Sequence, residues 1–81
     1  MDTELIYFHA EWCGNCDEQR AVIEEINGVD IVSHDVETDR GTAKANEYSI
    51  RSLPAVVIRR DGRVIQVYNG FTPKHEIENA L

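Results

Sequence analysis

The apolar run Leu-Ile-Tyr-Phe-His, residues 5 to 9, constrains the fold more than any other stretch of this chain. It is short, continuous and rich in aromatic and β-branched residues, which favours a strand. Successive side chains of a strand point to opposite faces, so an unbroken apolar run has to be covered on both faces. We therefore expect residues 5–9 to form a central strand, with helices packed on either side of the sheet.

Two helical segments and a second strand are predicted after this run. From residue 13 to residue 27 apolar side chains recur at helical spacing, and Asn27-Gly28 supplies a stop signal. Residues 30–36 have the spacing of a strand. Residues 39–50 then have the pattern of a short second helix.

The last third of the chain predicts a hairpin followed by a helix. Residues 54–68 contain two β-rich runs on either side of Asp61-Gly62, a dipeptide that favours the positive φ angles of a tight hairpin turn. Thr72 is a residue type favoured at the N-cap of a helix, and Pro73 is favoured at the first helical position. We expect a helix of about two turns to follow them.

The predicted element order is β-α-β-α-β-β-α within a single domain, residues 1–81. The first two strands are joined through a helix, so they should be parallel, with a right-handed crossover. The hairpin then adds antiparallel strands. The expected fold class is α/β, a four-stranded mixed sheet flanked by three helices.

Charge and length exclude several classes of function. The chain has 15 acidic and 8 basic residues, a formal net charge of −7, whereas nucleic acids and anionic membranes are bound through positive patches. A partner with a basic face fits better. No stretch approaches the roughly 20 apolar residues of a membrane-spanning helix.

The N-terminal sequence MDTELIYFH has two acidic residues before its apolar run, so it lacks the positive region of a secretory signal. We therefore expect a cytoplasmic protein. Nothing in the sequence indicates an oligomer, and we expect a monomer.

Cys13 and Cys16 are the strongest candidates for catalytic residues. In the predicted topology they lie where the first strand ends and the first helix begins, and the positive end of a helix favours a thiolate. We therefore assign Cys13 as the nucleophile. Cys16, one turn into the helix, should be less exposed and close enough to resolve a mixed disulfide formed at Cys13.

Two other interpretations of the pair are weaker. A structural zinc site needs four ligands, and the chain adds only His9, His34 and His75, with no second Cys-X-X-Cys and no His pair at ligand spacing. A purely structural disulfide across two intervening residues would remove little chain entropy, and the expected compartment is reducing.

Three segments, in order along the chain, resemble the thioredoxin family. They are FHAEWCGNC around the cysteines, YSIRSLPAVVI at residues 48–58, and RDGRV with NGFTP before the last helix. The resemblance spans nearly the whole chain. It implies a thioredoxin-like fold and a protein-disulfide oxidoreductase that needs no metal and no organic cofactor. The implied partners are protein disulfide substrates and an external reductant, such as a thioredoxin-reductase-like enzyme.

By the same resemblance, further residues would contact the substrate: Trp12, Gly14, Leu53, Pro54 and Gly70. Trp12 offers a flat apolar surface beside the nucleophile, and Gly14 lets a partner backbone approach. The family implies a cis peptide bond before Pro54, which leaves the Leu53 backbone free to pair with an extended substrate. Gly70 would form the far wall of the groove.

The sequence departs from the family at two positions. Asn15 replaces the usual proline between the cysteines, so the redox potential does not carry over. Tyr7 replaces the buried aspartate that usually assists deprotonation of the resolving thiol. Strand alternation places His9 on the same face as Tyr7, where we expect it to be a packing residue.

Two rival functions remain open at this point. One is a glutaredoxin-like enzyme that uses glutathione; against it, the motif is Trp-Cys-Gly-Asn-Cys, and NGFTPK lacks the Gly-Gly and aspartate that help to hold glutathione in that family. The other is a redox-inactive binding module built on the same fold. Such a module would show no turnover with a disulfide substrate.

Overall fold

A computed structural model describes residues 2–81. Its elements are β1 (Thr3–His9), α1 (Cys16–Glu24), β2 (Asp30–Asp35), α2 (Asp39–Glu47), β3 (Ala55–Arg60), β4 (Arg63–Asn69) and α3 (Lys74–Ala80). The strands form one sheet in the order β2-β1-β3-β4. The predicted α/β class, the element order and the four-stranded mixed sheet are confirmed.

β1 is a central strand, as its apolar run predicted. It pairs in parallel with β2 and antiparallel with β3. Leu5 and Tyr7 pack into a cluster on one side of the sheet, whereas Ile6 and Phe8 pack into a second cluster on the other side. All four side chains are buried. An unbroken apolar strand thus has a core on each of its faces.

The two sides of the sheet are covered by different helices. On one side Ile23 of α1, Ile26 just beyond it, and Ile77 of α3 pack against Leu5 and Tyr7. On the other side the half-buried residues Ala45, Tyr48 and Ile50, in α2 and the segment after it, pack against Ile6 and Phe8. Cys13 and Cys16 lie where β1 leads into α1, so they belong to the end of the sheet at which β1 finishes.

The hairpin is confirmed at Asp61-Gly62. These two residues join β3 to β4 with φ angles of 52° and 82°, the left-handed region required by a two-residue turn. β3 is buried from Ala55 to Ile58, and β4 is the exposed edge.

The starts of α1 and α3 differ from the prediction, and α1 and α2 each end three residues earlier than predicted, at Glu24 and Glu47. α1 begins at Cys16 rather than Cys13, because the Cys13 N–H bonds the carbonyl of Ala10 at 3.1 Å and closes a turn before the helix. The N-cap position of α3 is Pro73 rather than Thr72. The Thr72 hydroxyl instead donates to the carbonyl of Gly70 at 3.3 Å, so it is turned away from the helix. None of the helices in residues 2–81 is long and apolar enough to cross a bilayer.

Candidate active site

Cys13, in the loop after β1, and Cys16, the first residue of α1, form a disulfide, with their Cα atoms 5.5 Å apart. The turn at Ala10 brings Cys13 back toward the helix, and the helical hydrogen bonds begin with the Gln19 N–H donating to Asn15 at 3.1 Å. Cys13 therefore precedes α1, but the disulfide holds its sulfur against the first turn. The backbone N–H groups there have no intrahelical acceptors, so they favour negative charge on a nearby sulfur.

The two cysteines differ in exposure. Cys16 is 3% exposed and belongs to the core cluster that contains Tyr7 and Ile23, whereas Cys13 is half-buried at the edge of that cluster. This agrees with the expectation that Cys16 is the less exposed thiol. Cys13 is therefore the more accessible of the two residues.

Tyr7 lies directly beneath the first turn of α1. Its hydroxyl donates to the backbone carbonyl of Cys16 at 2.5 Å, and the guanidinium of Arg20 lies 5.8 Å from the centre of its ring. Burial raises the pKa of the Tyr7 phenol, an effect that Arg20 partly opposes. The phenol is therefore a neutral donor near pH 7. The His9 ring stacks on Tyr7 at 5.0 Å, so the two residues share a face as strand alternation predicted.

The loop before β3 lies beside the end of β4. The Leu53–Pro54 peptide bond is cis, Pro54 is buried and Leu53 is half-buried. The carbonyl of Pro54 accepts the Gly70 N–H at 2.8 Å, and the Asn69 side chain accepts the Arg51 N–H at 2.8 Å. These bonds fix the two loops relative to each other.

An open apolar cavity of about 410 Å³ adjoins Trp12, the residue directly before Cys13. It is lined by Trp12, Val36, Ala45, Ile50, Arg51, Ser52 and Leu53. Trp12 is 68% exposed, although it is the largest apolar side chain of the chain. Exposed aromatic surface beside a cavity is typical of a contact site rather than of core packing.

Glycine suits positions 14 and 70 for different structural reasons. A Cβ added to Gly14 would meet no heavy atom within 4 Å, so the space above it is open to a partner. Gly70 has a φ angle of 93°, which an L side chain rarely adopts. Of the predicted site residues, Trp12 and Leu53 line one cavity, and Pro54 and Gly70 are hydrogen-bonded to each other.

Sequence reasoning missed Gln19, which is fully buried in α1. Its side-chain N–H donates to the carbonyl of Thr72 at 3.0 Å, and its side-chain oxygen accepts the Thr72 N–H at 2.8 Å. The signal was available, because Gln19 lies one turn before Ile23 on the buried face of the helix. A polar residue at such a position usually has a buried hydrogen-bond partner.

Within residues 2–81, the cysteine, histidine and acidic side chains form no group of three or more that could hold a metal ion. His34 is on β2 and His75 is on α3, far along the chain from the motif.

Comparison with known proteins agrees with this site. The thioredoxin family model matches residues 1–81. The chain is 33% identical over 79 residues to thioredoxin from Mycoplasmoides gallisepticum, covering 95% of this chain and 79% of that protein. It is 35% identical over 82 residues to thioredoxin 1 from Synechococcus elongatus, covering 95% and 75% respectively. A solved mutant thioredoxin from Halobacterium salinarum superimposes with a TM-score of 0.84 at 28% identity, covering 96% of this chain and 70% of that one.

Proposed function

This chain belongs to the thioredoxin family and is a thiol–disulfide oxidoreductase acting on protein disulfides, and we propose that Cys13 is its nucleophile and Cys16 its resolving thiol. The observation that carries this division of roles is the difference in exposure between the two residues. Cys16 is 3% exposed, whereas Cys13 is at the surface edge of the same cluster. Only Cys13 can meet a partner disulfide without opening the core.

The proposed reaction has two exchange steps. The Cys13 thiolate attacks one sulfur of the substrate disulfide, and the other substrate sulfur leaves as a thiolate that takes a proton from water. The Cys16 thiolate then attacks the Cys13 sulfur, which forms the Cys13–Cys16 disulfide and releases the second substrate thiol. Two electrons pass from the protein to its substrate. An external thiol reductant returns them to the cysteine pair.

We assign the substrate groove to five residues around the disulfide: Trp12, Gly14, Leu53, Pro54 and Gly70. The open space above Gly14 and the apolar cavity between Trp12 and Leu53 support this assignment. The Leu53 backbone precedes β3 and can pair with an extended substrate segment, as an added strand does.

The cellular compartment and the electron donor that we propose follow from the dithiol–disulfide exchange reaction. A dithiol that reduces proteins works in a reducing compartment, so we place the protein in the cytoplasm, with a thioredoxin-reductase-like enzyme or another thiol as its electron donor. The cysteine pair carries the electrons itself, and we assign no metal or organic cofactor. We propose that the protein acts as a monomer.

A trapping experiment tests the assignment of the two cysteines. Cys16→Ser removes the resolving thiol, so mixed disulfides between Cys13 and its partners should persist and be released by dithiothreitol. Cys13→Ser is the matched control and should trap nothing. Equal trapping by both variants would show that the roles are not divided in this way. Glutathione as the main adduct would indicate a glutathione-linked donor, whereas protein adducts would identify the substrates.

A further inference from the structure

Basic side chains are concentrated around a second cavity, which lies on the side of the sheet covered by α2 and has a volume of about 230 Å³. Its polar lining residues are Glu4, His34, Arg40, Lys44, Tyr48 and Arg59. Three of them are among the eight Lys and Arg residues of a chain whose net charge is −7, and one is acidic. The cavity is therefore a basic site on an acidic protein, and it suits an anion.

Arg59 brings an unused hydrogen-bond donor to this cavity. Its Nε atom lies 3.5 Å from the carboxylate of Glu4, and its Nη1 atom donates to the hydroxyl of Tyr48 at 3.0 Å. The Nε–H group is buried, yet it makes no hydrogen bond within residues 2–81, because the Glu4 oxygen lies outside hydrogen-bonding geometry. Buried donors in folded proteins usually have an acceptor, and an oxygen of a ligand in the cavity would supply one.

Arg40 and Lys44 supply positive charge that Glu4 does not balance. They lie four residues apart in α2, so their side chains share one face of the helix. Lys44 pairs with Glu47 at 3.3 Å, whereas Arg40 forms no ion pair with the acidic side chains of the described chain. Burial lowers the pKa of His34, and the charges of Arg40 and Lys44 lower it further. The His34 ring therefore lies in a positive field that an anion would offset.

The floor of the cavity is apolar. Ile6 and Val32 line it from neighbouring positions on β1 and β2. The rings of His34 and Tyr48 line it as well, and both contact Phe8, with ring centres 5.5 and 6.2 Å apart. An inorganic ion would leave this floor uncovered, whereas an anion with a flat apolar body would cover it.

We propose that this cavity binds a small phosphate monoester with a flat apolar body. The phosphate oxygens accept hydrogen bonds from Arg40, Lys44 and the unused Nε–H of Arg59, and the body lies on Ile6 and Val32. A phosphate dianion accepts from several donors at once, and its charge balances those of the two α2 side chains. Neither cysteine lines the cavity, so this binding does not depend on the oxidoreductase activity.

An NMR titration of the oxidised protein with phenyl phosphate, at fixed pH and ionic strength, tests the site. We expect saturable shifts of the His34 ring and of the α2 amides, with a dissociation constant on the order of 1 mM for so small a ligand. Inorganic phosphate lacks the apolar body and should bind at least about fivefold more weakly. Equal affinity for the two ions would overturn the assignment of the ligand class. A His34 ring that responds to neither ion would overturn the site.

Two variants and a matched control locate the charge and the floor. Arg40 is exposed, so Arg40→Gln should fold normally and weaken phenyl phosphate binding about tenfold. Arg63→Gln removes the same charge outside the cavity, at the start of β4, and should change the affinity less than about twofold. Equal weakening by these two variants would mean that only net charge matters. Val32→Thr should weaken phenyl phosphate about threefold without affecting inorganic phosphate. Equal losses for both ions would contradict the apolar floor.

The His34 ring provides a second readout of the bound charge. Burial and the positive charges of Arg40, Lys44 and protonated His9 lower its pKa in the free protein. A phosphate dianion beside the ring should raise that pKa toward its ordinary value when phenyl phosphate is saturating. An unchanged His34 pKa in the saturated protein would show that the ligand binds elsewhere.

The redox pair provides the last control. Cys13→Ser cannot carry out disulfide exchange, but it should bind phenyl phosphate as tightly as the wild type does. Loss of binding in this variant would place the ligand at the disulfide and overturn the proposed site. A wild-type protein that binds phenyl phosphate but reduces no protein disulfide would refute the proposed function alone. One that reduces disulfides but does not bind phenyl phosphate would refute this inference alone.

Discussion

The buried hydroxyl of Tyr7 donates to the backbone carbonyl of Cys16 at 2.5 Å. In the helix the same carbonyl faces the N–H of Arg20, so the first turn of α1 is anchored from two directions. Tyr7 occupies the position where the thioredoxin family usually buries an aspartate. Burial raises the pKa of Tyr7, so near neutral pH it stabilises the turn without acting as a base.

Tyr7→Phe should therefore weaken the fold around the disulfide. The change keeps the ring and removes one buried hydrogen bond, which typically contributes about 1 kcal/mol to the free energy of unfolding. Urea unfolding of the oxidised protein measures the loss. Tyr68→Phe is the matched control: its hydroxyl bonds the Glu76 carbonyl at 3.2 Å in a more exposed setting, and it should cost less. An equal or smaller loss for Tyr7→Phe would mean that the anchor adds nothing.

This chain has Tyr7 where the family usually has a buried aspartate, and this difference predicts a pH dependence for the second exchange step, the attack of Cys16 on Cys13. Cys16 is buried, and without a carboxylate to take its proton, it has to lose that proton to water or hydroxide. Resolution of a preformed mixed disulfide on Cys13 should be slow at pH 7 and accelerate as the pH rises. Single-turnover kinetics across pH 6 to 9 provide the measurement. A fast and flat profile would show that another group, such as His9 or Glu37, has taken over the role of the base.

Most of the fold follows from local sequence signals because each element has its own physical cause. The run at residues 5–9 has to be covered on both faces, which makes β1 central. Asp61-Gly62 tolerates positive φ angles and fixes the hairpin. These signals do not depend on distant parts of the chain, and they are confirmed.

What the sequence did not reveal depends on contacts between distant residues. Gln19 and Thr72 are far apart in the chain, so only the folded protein shows that the Gln19 side chain bonds the Thr72 backbone. That pairing also explains why Thr72 does not cap α3. The helix start at Cys16 depends on the turn bond from Cys13 to Ala10, which propensity alone does not indicate.

His34 provides a prediction about stability and pH. Burial lowers the pKa of His34, and the nearby positive charges of Arg40, Lys44 and, when it is protonated, His9 lower it further. The unfolded chain, in which histidine has a pKa of about 6.5, then binds this proton more readily than the folded protein does. The His34 contribution to stability is therefore complete above the unfolded pKa of about 6.5 and is lost as the pH falls from there through the lower pKa of the folded protein.

His34→Gln should accordingly flatten the dependence of unfolding free energy on pH between pH 5 and 7. An NMR titration of the His34 ring in the wild type gives its pKa directly, and Arg40→Gln should move that pKa upward. Glu4 and Arg59 line a cavity together with His34 and form an ion pair at 3.5 Å, so their opposite charges largely cancel at His34. A wild-type His34 pKa at or above the ordinary value would contradict the prediction.

Replacing Gly41, in the first turn of α2, by alanine should have the opposite of the effect that this change usually has on helix stability. Glycine in a helix generally costs about 1 kcal/mol relative to alanine, so Gly→Ala normally stabilises. Here a Cβ at residue 41 would overlap the backbone carbonyl of Asp35, which also accepts the Thr38 hydroxyl at 2.8 Å and cannot simply move aside. We expect Gly41→Ala to lower the free energy of unfolding by about 1–3 kcal/mol, the usual range for overpacking. Thermal and urea unfolding measure this loss, with Ala43→Gly in the exposed part of the same helix as the control for helix propensity. If Gly41→Ala were as stable as the wild type or more so, the close contact between α2 and the end of β2 would not constrain residue 41.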